Sequence, residues 1–486
     1  MKPEPRLALD ADSCYVALRA RDARFDGRFF VGVSSTGIYC RPVCAVRPPR
    51  RENCSFFPSA AAAELRGYRP CLRCRPELAP GFATIDASAV LARRAAGMIE
   101  DTLLAEEDVD AIGARLGVTG RHLRRVFGAE FGVSPVQYAQ TQRLLLAKRL
   151  LTDTAMPMID VAMASGFSSV RRFNALLRER YRLSPSQLRG RSGPADTDAP
   201  LSFDLAYRPP YDWTWMLGFL GARTVGGVES VTAGAYRRTV RVNTDGLERV
   251  GWLEVRSVRE RPTLRVRLDP ALGRCVAPVI ARVKRLFDTD CRPDEVCAAL
   301  GPLAADAPGL RLPGAFDGFE LAVRAILGQQ VSVKAAHTLG ARIAERFGTP
   351  VVTPHRELTL LFPHAETLAA ASSADVAACG IVRSRAEAIV ALARALHERR
   401  ISLEPGVDVD VAVAALQSLP GIGEWTAQYV AMRALGWPDA FPATDLGVLK
   451  ALGVRSRAAA LQAASRWRPW RGYAVMHLWR RGAPAR

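Results

Sequence analysis

The sequence predicts a multidomain, mainly α protein. A small cysteine-bearing α+β domain comes first, then a helical domain, a mixed α/β subdomain and a second all-α domain. Three observations lead there. At roughly 100–200 residues per domain, 486 residues make three or four domains. The hydrophobic period is helical over 86–190, turns strand-like over 201–270 and is helical again from about Phe316. Six of the ten cysteines fall within the first 74 residues.

Composition narrows the classes. Just under half of the chain is hydrophobic, so several cores can be buried and whole-chain disorder is excluded. Lys plus Arg is 67 against 48 for Asp plus Glu, a formal charge of +19. That excess points to a polyanion, nucleic acid before an anionic membrane. Lysine stands only at 2, 148, 284, 334 and 450; codon bias explains arginine over lysine but not the deficit of acids. No stretch reaches the ~18–20 apolar residues of a membrane span, and Met1 to Asp12 holds no apolar signal core. The expected compartment is the cytoplasm, where clustered cysteines bind metal or do thiol chemistry sooner than they form disulfides.

In chain order, Cys40 and Cys44 are spaced C-x3-C, and Cys71 and Cys74 C-x2-C. Two such pairs make a closed tetrahedral zinc site; two disulfides are the minor alternative. Cys54 lies outside both pairs and reads as packing. Arg41, Arg47, Arg50, Arg51, Arg66, Arg69, Arg73 and Arg75 surround the ligands, so this site is expected to face a phosphate backbone. PELAPG (76–81) closes the segment.

Next, IGARLGV and GRHLRRVFGAEFG read helix, turn, helix, and IDVAMASGF with SSVRRFNALLRERY repeats the pattern. Candidate base readers are Arg121, His122, Arg124 and Arg125 in the first unit, and Ser169, Arg171, Arg172 and Asn174 in the second. Arg and Asn bond base edges bidentately, although any one arginine here more often touches phosphate. GRSGPADTDAP (190–200) reads as a linker. Leu264, Val266 and Leu268 alternate with Arg265 and Arg267, the mark of a half-buried strand. A softer break is expected at 304–313.

LPGIGEWTAQYVAM (419–432) is a helix–hairpin–helix pattern, in which Gly421 and Gly423 permit a tight turn whose N–H groups hold a phosphate. FPATDLGVLKAL follows, with Asp445 opening a helix. Alone, that aspartate reads first as an N-cap. The hairpin with an Asp at this separation resembles the signature of the helix–hairpin–helix DNA glycosylases, and that resemblance reverses the preference.

These segments carry resemblances to known families. TGIYCRPVC, RREN and YRPCLRC resemble the Ada-type methyl-accepting domain, over about Asp12 to Pro80. The resemblance implies that Cys40 accepts a methyl group from a methylphosphotriester in DNA. The paired units, joined by the long helix around 144–151, resemble the AraC-type DNA-binding domain, whose second helices enter the major groove; a regulator of this type implies RNA polymerase as a partner. RPPYDWTWMLGFLGAR, PGLRLPGAFDGFELAVRAILGQQVSV and WRPWRGYAVMHLW resemble the AlkA-type 3-methyladenine DNA glycosylases, from about Leu201 onward.

That last resemblance implies base flipping and a cationic base received on Phe219, Trp425, Tyr429 and Trp479 by cation–π attraction. Arg223 lies near, and Asp445 stabilises the oxocarbenium-like sugar or activates water. Gln330 takes the position of the wedge that fills the vacated stack. Trp425 stands where lyase-active relatives carry the Schiff-base lysine, implying a monofunctional enzyme. No cysteines follow Cys379 to hold an iron–sulfur loop, and no PCHR motif is present, so a glycosylase stands in place of the O6-methylguanine transferase half.

The expected domains are an Ada-type zinc domain (1–82), a helix-turn-helix domain (83–190), a linker (191–200), a mixed α/β subdomain (201–312) and a glycosylase domain (313–486). The expected partner is double-stranded DNA. A regulator whose C-terminal half only binds DNA is the alternative, as is a glycosylase whose N-terminal half only adds DNA affinity.

Overall fold

The computed structural model describes residues 10–80, 90–102, 109–189, 199–244, 246–404 and 406–482. The expected boundary at 82/83 and most of the expected linker lie outside them.

The N-terminal domain opens with α1 (Ala11–Ala20), capped by the Asp10 carboxylate. A four-stranded sheet follows, ordered β3-β1-β2-β4, with β1 Phe30–Val33, β2 Ile38–Cys40, β3 Cys54–Phe57 and β4 Arg69–Pro70. Helix α2 (Ala60–Leu65) starts at a Ser59 cap. The short β2–β4 pairing is parallel, and it carries the Cys71 N–H onto the Tyr39 carbonyl at 3.0 Å. One ladder thus delivers both cysteine pairs to the same end of the sheet.

Among the described residues the next domain has seven helices: α3 Val90–Thr102, α4 Val109–Arg115, α5 Gly120–Phe131, α6 Pro135–Asp153, α7 Met158–Ala164, α8 Val170–Tyr181 and α9 Pro185–Arg189. Thr119 and Ser169 cap α5 and α8, as N-cap chemistry favours. A Cβ at Gly120 would sit 1.6 Å from the Asp110 carboxylate, so glycine lets α4 and α5 approach. Helix α6 begins with a Ser134/Gln137 capping box.

A five-stranded antiparallel sheet follows, ordered β5-β9-β8-β7-β6. Its strands are β5 Leu201–Ala206, β6 Glu229–Thr232, β7 Ala235–Thr244, β8 Leu247–Val258 and β9 Thr263–Leu268. Leu264, Val266 and Leu268 are buried and Arg265 and Arg267 exposed, the alternation expected. Helices α10 (Trp213–Gly221), α11 (Val276–Phe287) and α12 (Pro293–Leu300) pack with it. The remaining helices are α13 Gly318–Leu327, α14 Val333–Phe347, α15 Ala365–Ala370, α16 Ser373–Ala377, α17 Arg383–His397, α18 Val409–Gln417, α19 Glu424–Arg433, α20 Leu446–Leu452, α21 Arg457–Ala464 and α22 Arg471–Gly482.

The cores do not follow the sequence breaks. One cluster runs from Leu150, Phe173 and Tyr181 through Phe203, Val266 and Val279 to Trp467 and Met476. The second helix-turn-helix unit and the C-terminal half therefore share a single apolar interior. Phe30, Tyr39 and Phe57 of the first domain share another with Phe127 and Tyr138. The expected softer break is partly buried: Ala304, Ala307, Leu310, Arg311 and Leu312 are inside while Ala305, Asp306 and Pro308 are exposed, and the Leu312 and Gly314 N–H groups bond to Asp288 and Leu286 at the end of α11.

Polar contacts fasten the same joints. Arg208 is fully buried and donates to the Asp26 carbonyl at 2.9 Å and the Asp290 carbonyl at 2.7 Å. Arg28 pairs with Asp294 at 3.1 Å and with Glu295. Arg149 donates to the Asp204 carbonyl at 2.9 Å and lies over the Phe203 ring. Among the described residues no helix is long and apolar enough to cross a membrane.

Candidate functional site

The sulfurs of Cys40, Cys44, Cys71 and Cys74 all lie within 4.8 Å of one another, and no cysteine is in a disulfide. Zinc–sulfur bonds of about 2.3 Å in a tetrahedron place sulfurs roughly 3.8 Å apart, so this set fits the ion, and zinc is its metal. Cys40 is 6 % exposed, whereas Cys74 is the least buried of the four. Cys54 stays outside, its thiol donating to the Arg50 carbonyl, and burial pushes that thiol up.

The arginine surround divides in two. Arg41 is buried and ion-paired to Asp26, its Nε 2.8 Å from the carboxylate, and it donates to the Cys74 carbonyl at 3.2 Å. Arg75 bridges Glu77 and Asp153. These two hold the ligand loops in place, because a buried cation needs a fixed partner, and are not available to phosphate. Arg47, Arg50, Arg66 and Arg73 are exposed.

On α5, Arg121, His122, Arg124 and Arg125 are exposed; Arg124 reaches Asp110 at 3.4 Å and Arg125 the His122 ring at 3.3 Å. On α8, Arg171 and Arg172 are exposed. The Ser169 hydroxyl is occupied as the cap, accepting from the Arg172 N–H at 3.1 Å. The Asn174 Oδ1 is buried without a partner.

The third site is a cavity of about 1120 Å³ lined by Arg223, Gln330, Trp425, Tyr429, Asp445 and Trp479 among others. Asp445 takes the N-cap position that the sequence allowed. It caps α20, accepting from the Val448 N–H at 2.9 Å. Its two oxygens also accept the indole N–H of Trp425 at 2.8 Å and of Trp479 at 2.9 Å. Three donors converge on one carboxylate in an aromatic wall. Trp425 stacks on Tyr429 with centroids 5.3 Å apart, and Tyr429 lies 6.2 Å from Trp479.

Phe219 does not line the cavity. It is 8 % exposed and stacks behind Trp479, its face covered by the Arg223 guanidinium at 3.8 Å. Gln330 stands at the cavity mouth with φ 52°, a left-handed conformation uncommon for a side-chain-bearing residue and a frequent mark of functional loops. Gly421 has φ 75°, and Gly423 caps α19 without a side chain, leaving the helix N-terminus open to an anion.

Two residues escaped the sequence reading. Gln329 donates to the Gly421 carbonyl and to the Thr426 hydroxyl, both at 2.9 Å, tying the Gln330 loop to the hairpin; the doubled glutamine was its only signal. Arg433, nine residues beyond Glu424, donates to the Tyr429 hydroxyl at 2.7 Å and lies 4.9 Å from the Phe219 centroid. Its spacing from Tyr429 is that of any one-turn helical pair. Burial pushes Tyr429 up, but Arg433, Arg223 and Arg324 together leave it below the usual phenol range.

A carboxylate seated among indoles beside a hairpin of this kind belongs to the helix–hairpin–helix class of base-excision proteins, here behind a metal-binding, groove-reading front end. Family models agree along the chain: the metal binding domain of Ada matches 13–77, a helix-turn-helix domain 112–191, the AlkA N-terminal domain 202–317, and the HhH-GPD superfamily base excision DNA repair protein 323–464. The chain belongs to the family of the "probable bifunctional transcriptional activator/DNA repair enzyme AlkA" of Mycobacterium tuberculosis, being 40 % identical to it over 485 residues, 97 % of this chain and 96 % of that one. It is also similar to Escherichia coli DNA-3-methyladenine glycosylase 2, 41 % identical over 277 residues, 57 % of this chain and 96 % of that one. Against the bifunctional transcriptional activator/DNA repair enzyme Ada of Escherichia coli it is 35 % identical over 151 residues, 30 % of this chain and 39 % of that one.

Proposed function

We propose that this is an alkylation-response protein that excises alkylated bases, accepts methyl groups from DNA phosphotriesters and regulates transcription. Asp445, held by Trp425 and Trp479, is the observation that carries the enzyme reading.

A base within the duplex must leave the stack to be reached. Gly421 and Gly423 grip the backbone, Gln330 fills the gap, and the flipped base enters against Trp425, Tyr429 and Trp479. The C1′–N bond breaks heterolytically. The Asp445 carboxylate, fixed by three donors, stabilises the positive sugar and directs water to it. With Trp425 in place of a lysine, hydrolysis ends the reaction with no strand cleavage.

Zinc, when bound, keeps the four sulfurs as thiolates at neutral pH. The Cys40 sulfur attacks the methyl carbon of a phosphotriester; an S–C bond forms, the C–O bond breaks, and a phosphodiester leaves with the electron pair. Four thiolates with the dication would carry about −2 and three about −1, so attraction to DNA rises once Cys40 is methylated. Exposed Arg121, Arg171 and Arg172 contact promoter DNA, and RNA polymerase is the partner of activation, in the cytoplasm. The proposed domains are those set out from the sequence, 1–82, 83–190, 201–312 and 313–486 about a linker at 191–200.

Release of 3-methyladenine from methylated DNA by wild type and Asp445→Asn tests the enzyme. Loss of release in the variant is expected; equal release sinks the assignment and leaves a DNA-binding regulator. A methyl mass gain on the Cys40 peptide after incubation with methylated DNA tests the acceptor. An unmodified peptide rejects it.

A further inference from the structure

The residue that fills the gap and the turn that grips the backbone lie on separate elements. Gln330 follows α13, and Gly421 lies 92 positions beyond Gln329, ahead of α19. Ile326, Leu327, Ala427 and Val430 pack the two helices into one core. The loop at 328–331 runs out past that core to the cavity mouth, where Gln330 is exposed. One side chain ties the loop back. The Gln329 amide donates to the Gly421 carbonyl and to the Thr426 hydroxyl, both at 2.9 Å, and among the described residues no other side-chain hydrogen bond joins loop and hairpin. The Gln329 N–H still belongs to α13, bonded to the Ile326 carbonyl at 3.2 Å.

The two acceptors serve different ends. The Gly421–Ile422 peptide is pinned at both edges, its oxygen by Gln329 and its N–H by the Leu419 carbonyl at 3.3 Å, which fixes the tilt of the turn. Thr426 is 2 % exposed and follows Trp425, whose indole holds Asp445. One amide thus touches the gripping turn and the helix that carries the pocket wall, and it stands next in the chain to Gln330. At its far end the loop closes on Ser332, which caps α14 by accepting from the Ala335 N–H at 3.2 Å. Between these two anchors Gln330 is kept at φ 52°, a conformation that persists where the surroundings over-determine it. Extruding a base breaks its pair and its stacks. A side chain that fills the gap offsets part of that cost only if it arrives while the backbone beside the gap is held, and small misplacements in such an arrangement cost much rate.

We propose that Gln329 is a positioning residue that sets Gln330 at a fixed distance from the Gly421–Gly423 turn, so that it acts on the extrusion of the base and not on the breaking of the glycosidic bond. This rests on the glycosylase reading given above. Gln329 works through its neighbour: without the tether Gln330 still exists but no longer meets the gap while the turn holds the strand.

The test uses the full zinc-loaded chain and two oligonucleotide duplexes with a single 7-methylguanine. In one the lesion faces cytosine. In the other it is a one-nucleotide bulge, which has no pair to break and leaves no gap. Single-turnover excision is followed for wild type, Gln329→Met, Gln330→Ala, the double variant and Thr426→Val. Both rates come from one preparation, so a misfolded fraction cancels from their ratio. In Gln329→Met, excision of the paired lesion is expected to fall about 10-fold, on the low side of what two hydrogen bonds are worth, while excision of the bulged lesion moves less than about 2-fold. Thr426→Val, which removes one of the two acceptors, should show part of the same selective loss. Because Gln329 acts through Gln330, the double variant should fall within about 2-fold of Gln330→Ala alone on the paired lesion. Equal losses on the two duplexes in Gln329→Met, or losses that multiply in the double variant, make Gln329 structural and overturn the inference. Full excision of the paired lesion by Gln330→Ala overturns it as well. Wild type that excises the lesion from neither duplex overturns the glycosylase reading itself.

Discussion

Substituting Glu64 by Gln isolates one buried proton at the junction of the zinc domain and the helix-turn-helix domain. Glu64 on α2 is 6 % exposed. It accepts from the hydroxyls of Tyr39 at 2.9 Å, Thr141 at 3.0 Å and Tyr181 at 3.2 Å. Burial pushes its carboxyl from 4.5 up to about 7, against the opposing pull of those three donors. The unfolded chain therefore ionises here near pH 4.5, while the folded chain keeps its proton to about pH 7. The folded state binds the extra proton, so this contribution is complete below pH 4.5 and is lost as pH rises to 7. At ~1.4 kcal/mol per pH unit that interval gives about 3 kcal/mol. A glutamine offers its carbonyl to the two tyrosines and its amide to Thr141 and never ionises. Urea unfolding at pH 5 and pH 8, which spans most of that interval, should show the difference between Glu64→Gln and wild type moving about 2.5 kcal/mol in favour of the variant. A difference that stays constant across that range would refute a buried, protonated Glu64.

Arg208→Met removes the donor that the Asp26 carbonyl accepts from; at ~1–3 kcal/mol for a buried hydrogen bond lost in this way, the urea midpoint should fall clearly, and an unmoved midpoint would show that Arg208 is no joint. Glu320→Gln breaks a buried quartet in which Arg238 sits 2.6 Å from Glu320; a loss of about 3–5 kcal/mol is expected, measured by the same unfolding. Chelation of zinc removes the ion that holds Cys40, Cys44, Cys71 and Cys74, so all four should become open to thiol alkylation while the buried Cys275 and Cys291 stay protected; continued protection of the four would argue against metal-dependent folding there.

What the sequence disclosed was local. The cysteine spacings, the Gly421–Gly423 hairpin and the alternation over 264–268 are written within a few residues, and the chain folds them as read. Asp445 could be read twice over, as a cap and as an acid, because both roles use the same carboxylate. Long-range pairings left no trace. Nothing near Arg41 announces that Asp26 will bury its charge, and Arg208 reaches a carbonyl 182 positions away. Phe219 sits one aromatic layer behind the cavity, because Trp479 comes to stand in front of it from the far end of the chain. Glycine and proline at 190–200 read as a linker and say nothing of how its flanks pack, whereas Phe173 and Tyr181 join the interior of the C-terminal half.

The shared interior has a consequence for where on the double helix the enzyme can work. Packing of the second helix-turn-helix unit against the glycosylase half sets a fixed offset between the grooves that are read and the nucleotide that is taken out. B-form DNA turns once in about 10.5 base pairs, so a chain seated on its promoter faces one side of the flanking duplex. A lesion at the position that this offset sets would then be removed faster than one a few base pairs to either side, and the preference would fade wherever the junction is loosened.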